Sequence, residues 1–347
     1  MLRWTKRLIL LLVVLILLGA VAVYMLLRGS LPQYEGQASL PGLNSSVQVQ
    51  RDAVGVATIT ASNRLDAARA TGFVHAQERY FQMDLMRRQV SGRLSELFGP
   101  MALDLDRSMR LHDFSRHANN VLATINREQN SLLQAYVEGV NAGLSSLPAK
   151  PFEYWLLNQS PTPWQVQDSV MVIYAMALDL TKEEAKAEQL HSLLRAELPA
   201  AVADYLLVEG SRWDAPLAGD VVQQPDVPSA ELWSMAGLPQ IASLAMGPDA
   251  PFFGSNNWAI SGARSLHGGA IVADDMHLTL RVPNIWYRLQ LNYQDQSTQH
   301  QITGVSLAGA PLIVAGSNGK VAWGFTNSYG DWVDLIQLDY ADADGNT

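Results

Sequence analysis

A serine directly after a glycine, in Gly254-Ser255-Asn256-Asn257-Trp258, is the residue of this chain best placed to act as a nucleophile. A Pro- and Gly-containing segment, residues 246–254, leads into it, and a strand-like run, Trp258–Ile260, follows it. A serine hydroxyl is a weak nucleophile that needs an adjacent base. If the bond before Ser255 is cut, its new α-amine has a reference pKa of about 7.7–8.0, which suits a general base near neutral pH. The alternative interpretation is a turn residue before a core strand.

Several motifs accompany this serine in a fixed order. After it come Ala273-Asp-Asp-Met-His-Leu278 and the segment Gly309–Asp334, which contains Trp323-Gly-Phe-Thr326. Before it come Arg51–Ile59 and Ala70–Gly99. Together these motifs resemble the penicillin acylase (penicillin amidase) family of N-terminal-nucleophile hydrolases. The likeness extends from about residue 33 to the end of the sequence.

The resemblance implies a precursor that cuts itself and then loses a spacer. We therefore expect a signal anchor over residues 1–30, the α-chain region over 31–214, the spacer over 215–254 and the start of the β-chain over 255–347. The implied fold class is α+β, with a four-layer αββα core and a helical α-chain. Because a β-chain of this family is several hundred residues long, we expect the sequence to be truncated within the catalytic domain.

The resemblance also implies a catalytic site. The cut falls at Gly254/Ser255, and Ser255 attacks an amide carbonyl to form an acyl-enzyme that water then hydrolyses. The family's oxyanion hole uses a backbone N–H after Trp-Gly-x-Thr, which is that of Asn327 here. His277 falls where relatives carry Gln or His near the nucleophile. The implied partners are a small-molecule N-acyl amide, such as a β-lactam side chain or an acyl-homoserine lactone, and the α- and β-chains of the same precursor.

A structural calcium ion is a further implication of the resemblance, whereas no organic cofactor is expected. Asp331, Val333 and Asp334 match a calcium-binding stretch of the family, and Glu188 is the best match for its α-chain ligand, with Glu184 as a rival. Carboxylates and a backbone carbonyl are the hard oxygen ligands that calcium requires. The alternative is a turn in which Asp side chains cap backbone N–H groups.

The composition excludes several classes of function. A hydrophobic content of 48% with 16% charged residues is typical of a well-buried globular chain. The net charge of −9, without a basic stripe, argues against a nucleic-acid partner. The sequence has no cysteine, which excludes disulfides, thiolate metal sites and cysteine nucleophiles.

The N-terminal sequence predicts a membrane helix. Arg3, Lys6 and Arg7 precede Leu8–Leu27, a run of about 20 uncharged residues that is long enough to span a bilayer. Positive charge before the run favours a cytoplasmic N-terminus and an exported body. We expect a single-pass protein of the cytoplasmic membrane with its body in the periplasm or outside. The alternative is secretion to the periplasm after signal cleavage, with Ala20-Val-Ala22 as the cleavage site.

The elements that must position these residues follow from local patterns. Two β-branched runs predict paired strands, Asn63 is a plausible N-cap for a long helix to about Arg88, and a strong Asn-Gly turn predicts a hairpin. The predicted strands are Ser46–Val49, Val54–Thr60, Trp286–Asn292, Leu312–Ala315 and Val321–Trp323, and the further predicted helices are Leu103–Glu128 and Ser131–Leu144.

Some side chains allow two interpretations. Five aromatic residues suit either an acyl pocket or core packing: Phe152, Tyr154, Trp155, Trp164 and Tyr174. His75 is expected to be packed and hydrogen-bonded. Two rival functions also stay open. One is a Ser–His–Asp hydrolase that uses Ser306 or another serine, although Gly304-Val-Ser-Leu-Ala308 lacks the final glycine of a nucleophile elbow. The other is a catalytically inactive envelope protein that keeps the family's shape for binding or scaffolding.

Overall fold

In the computed structural model the chain divides into two compact units, Met1–Ala177 with Ser255–Thr326 and Leu178–Gly254 with Asn327–Thr347. The structure describes residues 2–208, 210–211, 213, 219–221, 223–232, 254–278, 280–327 and 334–336, without the side chains of residues 2 and 182–186. Most of the spacer predicted over 215–254 lies outside the described residues, and so that boundary stays a prediction. The fold is mixed α+β, as predicted, and the four-layer arrangement stays a prediction.

Helices dominate the first half of the described chain. They are α1 (Leu2–Gly29), α2 (Arg64–Val90), α3 (Ser95–Phe98), α4 (Leu103–Leu111), α5 (Phe114–Thr124), α6 (Arg127–Ser145), α7 (Phe152–Leu156), α8 (Val166–Glu197) and α9 (Ala200–Leu206). The strands are β1 (Gln48–Arg51), β2 (Ala57–Ala61), β3 (Gly254–Ile260), β4 (Ile271–His277), β5 (Trp286–Asp295), β6 (Thr298–Leu307), β7 (Ile313–Ser317) and β8 (Ala322–Trp323). The second unit takes the end of α8 and all of α9.

One six-stranded sheet contains residues from both sides of Ser255. Its order is β1-β2-β5-β6-β7-β8, in which β2 and β5 are parallel and the other neighbours are antiparallel. The parallel pair joins residues more than two hundred positions apart, with Ala57 opposite Leu289 and Ala61 opposite Tyr293. Ile59 and Leu289 are fully buried in the core on this sheet. The regions before and after Ser255 therefore share one hydrophobic core.

Helix α2 is the central helix of the first unit. As predicted, Asn63 is its N-cap, since the Asn63 side chain accepts a hydrogen bond from the backbone N–H of Asp66 at 2.8 Å. The helix packs against α6 so closely that a Cβ on Gly139 would collide with the backbone carbonyl of Arg69. Glycine therefore allows the two helices to touch through their backbones.

A buried ion network holds the end of α2. Arg87 Nε donates to Asp84 Oδ1 at 2.7 Å, and its Nη1 donates to Asp168 Oδ2 at 2.5 Å. The hydroxyl of Tyr154 donates to the second oxygen of Asp84 at 2.6 Å. All four side chains are buried, and the second cation that balances the two carboxylates is the buried Arg88, whose Nε lies 2.9 Å from Asp84 Oδ1. This network joins α2, α7 and α8.

The single helix predicted over Leu103–Glu128 is wrong. The chain breaks between α4 and α5 at Asp113, whose φ of 49° is left-handed. Asp tolerates this conformation better than most residues, and its carboxylate accepts a hydrogen bond from Arg116 Nε at 2.7 Å. The next helix begins earlier than predicted because Asn126 and Gln129 form a reciprocal capping box.

One helix of the described residues, α1, is long and apolar enough over Arg3–Gly29 to cross a membrane. That finding concerns length and composition. A signal sequence near the N-terminus can meet the same criteria of length and composition.

Candidate active site

Ser255 is the second residue of β3 and is half-buried, while Gly254 before it is buried. Among the described residues, β3 pairs with β4 in a separate two-stranded sheet. The strand predicted after the serine is confirmed, but it is not a buried core strand, since Trp258 is 54% exposed. The reason is that β3 and β4 do not join the six-stranded sheet, so the core on that sheet does not cover them.

Two contacts bring three sequence motifs together at Gly324. The side-chain Nδ2 of Asn257, in β3, donates to the carbonyl oxygen of Gly324 at 3.3 Å. Asp274, in β4, lies so close that a Cβ built on Gly324 would be 2.7 Å from the Cβ, Cγ and Oδ2 of Asp274. Only glycine fits here without displacing a neighbour. The strand that carries Ser255 therefore meets the Trp-Gly-x-Thr segment.

The carboxylate of Asp274 is unusual. Both of its oxygens are buried, and neither has a hydrogen-bond partner among the described residues. Successive side chains of a strand point to opposite faces, so Asp274 faces Gly324 while Asp275 is exposed. A buried carboxylate without partners destabilises a fold, and native proteins keep few of them. Asp274 is therefore a candidate positioning residue for the segment after Trp323.

His277 is the last residue of β4, on the same two-stranded sheet as Ser255. Its Nε2 lies 3.0 Å from Oδ2 of Asp275, and both side chains are exposed. The contact orients the imidazole ring from its own strand. A role for His277 beside the nucleophile stays a prediction.

The predicted hairpin around Asn318-Gly319 is confirmed, and it positions Trp323. Asn318 Oδ1 accepts hydrogen bonds from the backbone N–H groups of Lys320 at 3.0 Å and Val321 at 2.8 Å. Trp323 Nε1 donates to the carbonyl of Ile313 at 3.1 Å, which fixes β8 against β7. Asn327, four residues after Trp323, is half-buried and falls in the second unit, whereas Ser255 falls in the first. Its role as an oxyanion donor stays a prediction.

The predicted calcium ligands are only partly described. Glu188 lies on α8 and is half-buried, and Asp334 is exposed. Asp331, Val333 and the side chain of Glu184 lie outside the described residues. The described residues alone form no cluster of three or more acidic or histidine side chains that could hold a metal. Glu188 and Asp334 carry the oxygen ligands that calcium needs. Because the other two predicted ligands, Asp331 and Val333, are not described, the site stays a prediction.

The hydroxyl of Ser306 is part of a closed hydrogen-bond chain. It donates to the carbonyl of Tyr287 at 3.1 Å, so the contact of 3.0 Å between Ser306 Oγ and His75 Nε2 requires the imidazole to be the donor. His75 Nδ1 then accepts from the hydroxyl of Tyr136 at 2.8 Å, and that oxygen accepts from the N–H of Gly309 at 2.9 Å.

This chain of hydrogen bonds argues against Ser306 as the nucleophile of the rival mechanism. Ser306 and His75 are both fully buried, and burial, together with the charge of Arg79, lowers the pKa of His75 to about 3. The nitrogen that faces Ser306 carries a proton and cannot accept another. The partner on the far side of the ring is Tyr136 rather than an Asp. The prediction that His75 is packed and hydrogen-bonded is confirmed.

The aromatic side chains divide between two environments. Tyr154 and Trp164 are buried in the core beside α2. Tyr174 is half-buried and contacts Phe114, with 5.2 Å between the ring centres. Phe152 and Trp155 are exposed on α7. Core packing is therefore the correct interpretation for Tyr154 and Trp164.

Three residues of this region were not singled out from the sequence. Asn257 and Asp274 stand inside the motifs, and the alternation of a strand would have separated Asp274 from Asp275. Tyr136 has no such signal, because its contact with Gly309 joins residues 173 positions apart. Only the packing of α6 against the segment after β6 brings those two together.

Comparison with known proteins identifies a family. The penicillin amidase family model matches residues 46–347. The penicillin acylase 2 proenzyme of Pseudomonas sp. (strain SE83) is 34% identical over 92% of this chain and 41% of that protein. The acyl-homoserine lactone acylase QuiP of Pseudomonas aeruginosa is 34% identical over 88% of this chain and 36% of that protein. The chain thus spans about two fifths of the length of these relatives.

A solved structure is also similar to part of the chain. A thermostable penicillin G acylase from Alcaligenes faecalis aligns with 52% of this chain and 98% of that chain, at 25% identity and a TM-score of 0.41. The TM-score is too low for this likeness to bear on the architecture.

Proposed function

Because the chain belongs to the penicillin amidase family, we propose that it forms part of an amide hydrolase that cuts itself between Gly254 and Ser255. The observation that carries the proposal is the meeting of β3, β4 and Gly324, which joins the motif of the nucleophile to the motif of the oxyanion hole.

The proposed reaction is acyl transfer through Ser255. Its hydroxyl oxygen attacks the carbonyl carbon of an N-acyl amide, and its proton passes to the α-amine freed by self-cleavage. The C–N bond breaks, and the amine leaves with that proton. Water then attacks the acyl-serine ester, releases a carboxylic acid and restores the hydroxyl.

The developing oxyanion would be stabilised by the backbone N–H of Asn327. A single donor aimed at such an oxygen is worth roughly 2.7–4 kcal/mol. The hydrogen bond from Asn257 and the contact with Asp274 hold Gly324, three residues before that donor. His277 lies on the sheet of the nucleophile and would contact the serine or its amine.

The proposed substrate class is a small N-acyl amide. The two relatives are named as a penicillin acylase and an acyl-homoserine lactone acylase. Penicillins and acyl-homoserine lactones both carry an acyl group on an amide nitrogen. A β-lactam side chain and an acyl-homoserine lactone are therefore the first substrates to test.

Self-cleavage would leave two chains that stay associated. Strand β2 precedes the cut and β5 follows it, and the two pair in register over five residues. Calcium bound by Glu188, Asp331, Val333 and Asp334 would add a second link, since one ligand precedes the cut and three follow it. Addition of a chelator to the processed protein should then lower its melting temperature, and added calcium should restore it. An unchanged melting temperature would remove calcium from the proposal.

We also propose that α1 is an uncleaved anchor in the cytoplasmic membrane, with the body outside the cytoplasm. Its support is the positive charge of Arg3, Lys6 and Arg7 in the first turns of α1, before the apolar run Leu8–Leu27. N-terminal sequencing of the membrane-extracted protein tests this. A mature N-terminus after Ala22 would favour the secreted form.

The central experiment is intact-mass analysis with N-terminal sequencing of the full-length protein after expression in a host that exports it. We expect a fragment that begins Ser-Asn-Asn-Trp and that is lost in Ser255→Ala. Ser306→Ala is the matched control and should still be cut. Hydrolysis of penicillin G and of an acyl-homoserine lactone by the processed protein then identifies the substrate. An uncut wild-type chain without amidase activity would favour the inactive binding or scaffold protein.

A further inference from the structure

The outer end of α1 is tied directly to the body of the protein. The backbone N–H of Ala149 donates to the carbonyl of Gly29 at 3.0 Å, and the hydroxyl of Ser30 donates to the carbonyl of Lys150 at 2.7 Å. A Cβ on Gly29 would lie 3.0 Å from that of Ala149, so the two segments touch. The loop before α7 therefore lies where α1 ends.

The length of α1 sets the height of that loop relative to a bilayer. The uncharged run Leu8–Leu27 comprises about 20 residues, which at about 1.5 Å each span about 30 Å. This equals the thickness of the hydrocarbon core. Arg28 then lies at the outer interface, and the contact of Gly29 with Ala149 places the loop at the level of the lipid headgroups.

Helix α7 begins three residues after Ala149 and has an apolar face that is exposed. Phe152, Trp155 and Leu156 share one face by their spacing of three and four residues. All three are exposed, and Leu156 is 79% exposed, whereas Tyr154 on the opposite face is fully buried. The orientation of α7 is fixed, because the hydroxyl of Tyr154 donates a hydrogen bond to the buried carboxylate of Asp84.

A second segment adds to this face. Leu31, Phe152 and Val282 line one cleft, together with Arg281. Leu280 is 89% exposed, and Val282 is fully exposed. We define the juxtamembrane patch as Leu31, Phe152, Trp155, Leu156, Leu280 and Val282. The surfaces of soluble proteins seldom carry so many large apolar side chains close together.

The patch has the composition of a membrane interface. Trp side chains are enriched at the depth of the headgroups. Lys150 Nζ lies 4.4 Å from the centre of the Trp155 ring, so a cation accompanies the aromatic group. Arg28 and Arg281 are exposed near the patch and can meet lipid phosphates.

We propose that the juxtamembrane patch inserts into the outer headgroup region of the same bilayer that α1 spans, so that the body lies on the membrane instead of swinging from a flexible linker. This inference rests on the proposed anchoring by α1 and is independent of the acylase activity. The occupant is a phospholipid surface, because the patch is continuous with the membrane helix at the contact of Gly29 with Ala149.

Single-cysteine labelling tests the proposal, because residues 1–347 contain no cysteine. Leu156→Cys and Val282→Cys would each carry an environment-sensitive fluorophore in the full-length protein, in which any cysteine outside these residues is first replaced by serine. The matched control is Ser297→Cys, in the exposed turn after β5. Ten residues of strand, about 30 Å, separate that turn from the start of β5 beside the patch. The proteins are reconstituted in vesicles of phosphatidylethanolamine and phosphatidylglycerol that contain a spin-labelled lipid.

We expect the lipid quencher to reduce the emission at positions 156 and 282 severalfold more than at position 297. Equal quenching at all three positions, strong or weak, would overturn the patch. A blue-shifted but unquenched label at 156 would show that protein covers this face, through a second copy or another part of the chain, and would overturn it as well. An alkaline wash of the vesicles separates the proposed anchor α1 from the proposed patch. Release of the protein by the wash would contradict both the anchor and the patch. Retention of the protein without quenching at positions 156 and 282 would contradict the patch alone.

Discussion

Asp274 lies against the backbone of Gly324, so that any Cβ at position 324 would be 2.7 Å from the side chain of Asp274. Asn257 holds the same residue from β3, through its hydrogen bond to the Gly324 carbonyl. The segment that leads to Asn327 is thus held by both strands of the sheet that carries Ser255. Packing at Gly324 and the proposed chemistry are therefore expected to fail together.

Gly324→Ala should destabilise the fold and abolish self-cleavage. The new methyl group would meet the Cβ of Asp274, which cannot rotate away, and overpacking of this kind costs roughly 1–3 kcal/mol. Thermal unfolding and intact mass measure the two effects. Phe325→Ala is the neighbouring control, since that side chain is exposed. A Gly324→Ala protein with wild-type stability would show that β4 is free to move.

Asn257→Ala should slow acyl transfer without preventing folding. One lost hydrogen bond is worth roughly 0.5–1.5 kcal/mol, which corresponds to a reduction of up to about tenfold in kcat/KM. Because Asn257 positions Gly324 without touching the substrate in our mechanism, the loss should fall on kcat. Asn256→Ala, on the adjacent position and opposite face of β3, serves as the control. A change confined to KM would contradict the positioning role.

Ser306→Ala should keep self-cleavage and amidase activity and reduce stability. The Ser306 hydroxyl accepts from His75 and donates to Tyr287, so its removal leaves a buried N–H and a buried carbonyl without this partner. A loss of roughly 1–3 kcal/mol for an unsatisfied buried group is expected. Urea denaturation and the acylase assay measure the two quantities. Loss of activity in a folded Ser306→Ala protein would revive the rival nucleophile.

His75 should make stability depend on pH below about 6.5. Its pKa is about 3 in the folded protein and near 6.5 when unfolded, because burial disfavours the charged ring. Between these values only the unfolded chain binds the proton. The free energy of unfolding is therefore complete above pH 6.5 and falls by about 1.4 kcal/mol per unit as the pH decreases toward 3.

Urea denaturation of the wild type and of His75→Gln between pH 7 and 5 measures this dependence. Glutamine offers an amide N–H donor and a carbonyl acceptor but does not titrate. The wild type should lose stability more steeply than the variant. Equal slopes would show that the ring takes up a proton as readily in the folded protein as in the unfolded chain.

Arg87→Met should be strongly destabilising. The change removes the guanidinium from both carboxylates: Asp168 then keeps no other ion partner among the described residues, whereas Asp84 still lies 2.9 Å from Arg88 Nε. Breaking a buried pair costs roughly 3–5 kcal/mol. Arg107→Met is the matched control, since Arg107 and Asp104 form an exposed pair that contributes little. Similar melting temperatures for the two variants would mean that the network around Arg87 is not a net source of stability.

The sequence alone determined the features that depend on neighbours in the chain. Asn63 caps α2 through a residue three positions away, and Asn318 forms its turn with the next three residues. The absence of cysteine and the net negative charge limited the chemistry, and the ordered motifs indicated the family. The break at Asp113 was missed because a helical pattern continues across it, while the left-handed conformation of one residue decides the boundary.

Contacts between residues that are distant in the chain depend on how the helices and strands pack. Strand periodicity does not say that β2 lies beside β5, because both have similar apolar patterns and many pairings would bury them. The hydroxyl of Ser306 could not be distinguished from a nucleophile until the fold brought His75, 231 positions away, to its side. Likewise, the helical spacing of Phe152 and Trp155 places them on one face of α7. That this face is exposed depends on the tertiary structure, in which Tyr154 on the opposite face donates a hydrogen bond to the buried Asp84. Hydrogen-bond partners and exposure are properties of the packed chain, so long-range contacts, rather than local preference, determine them.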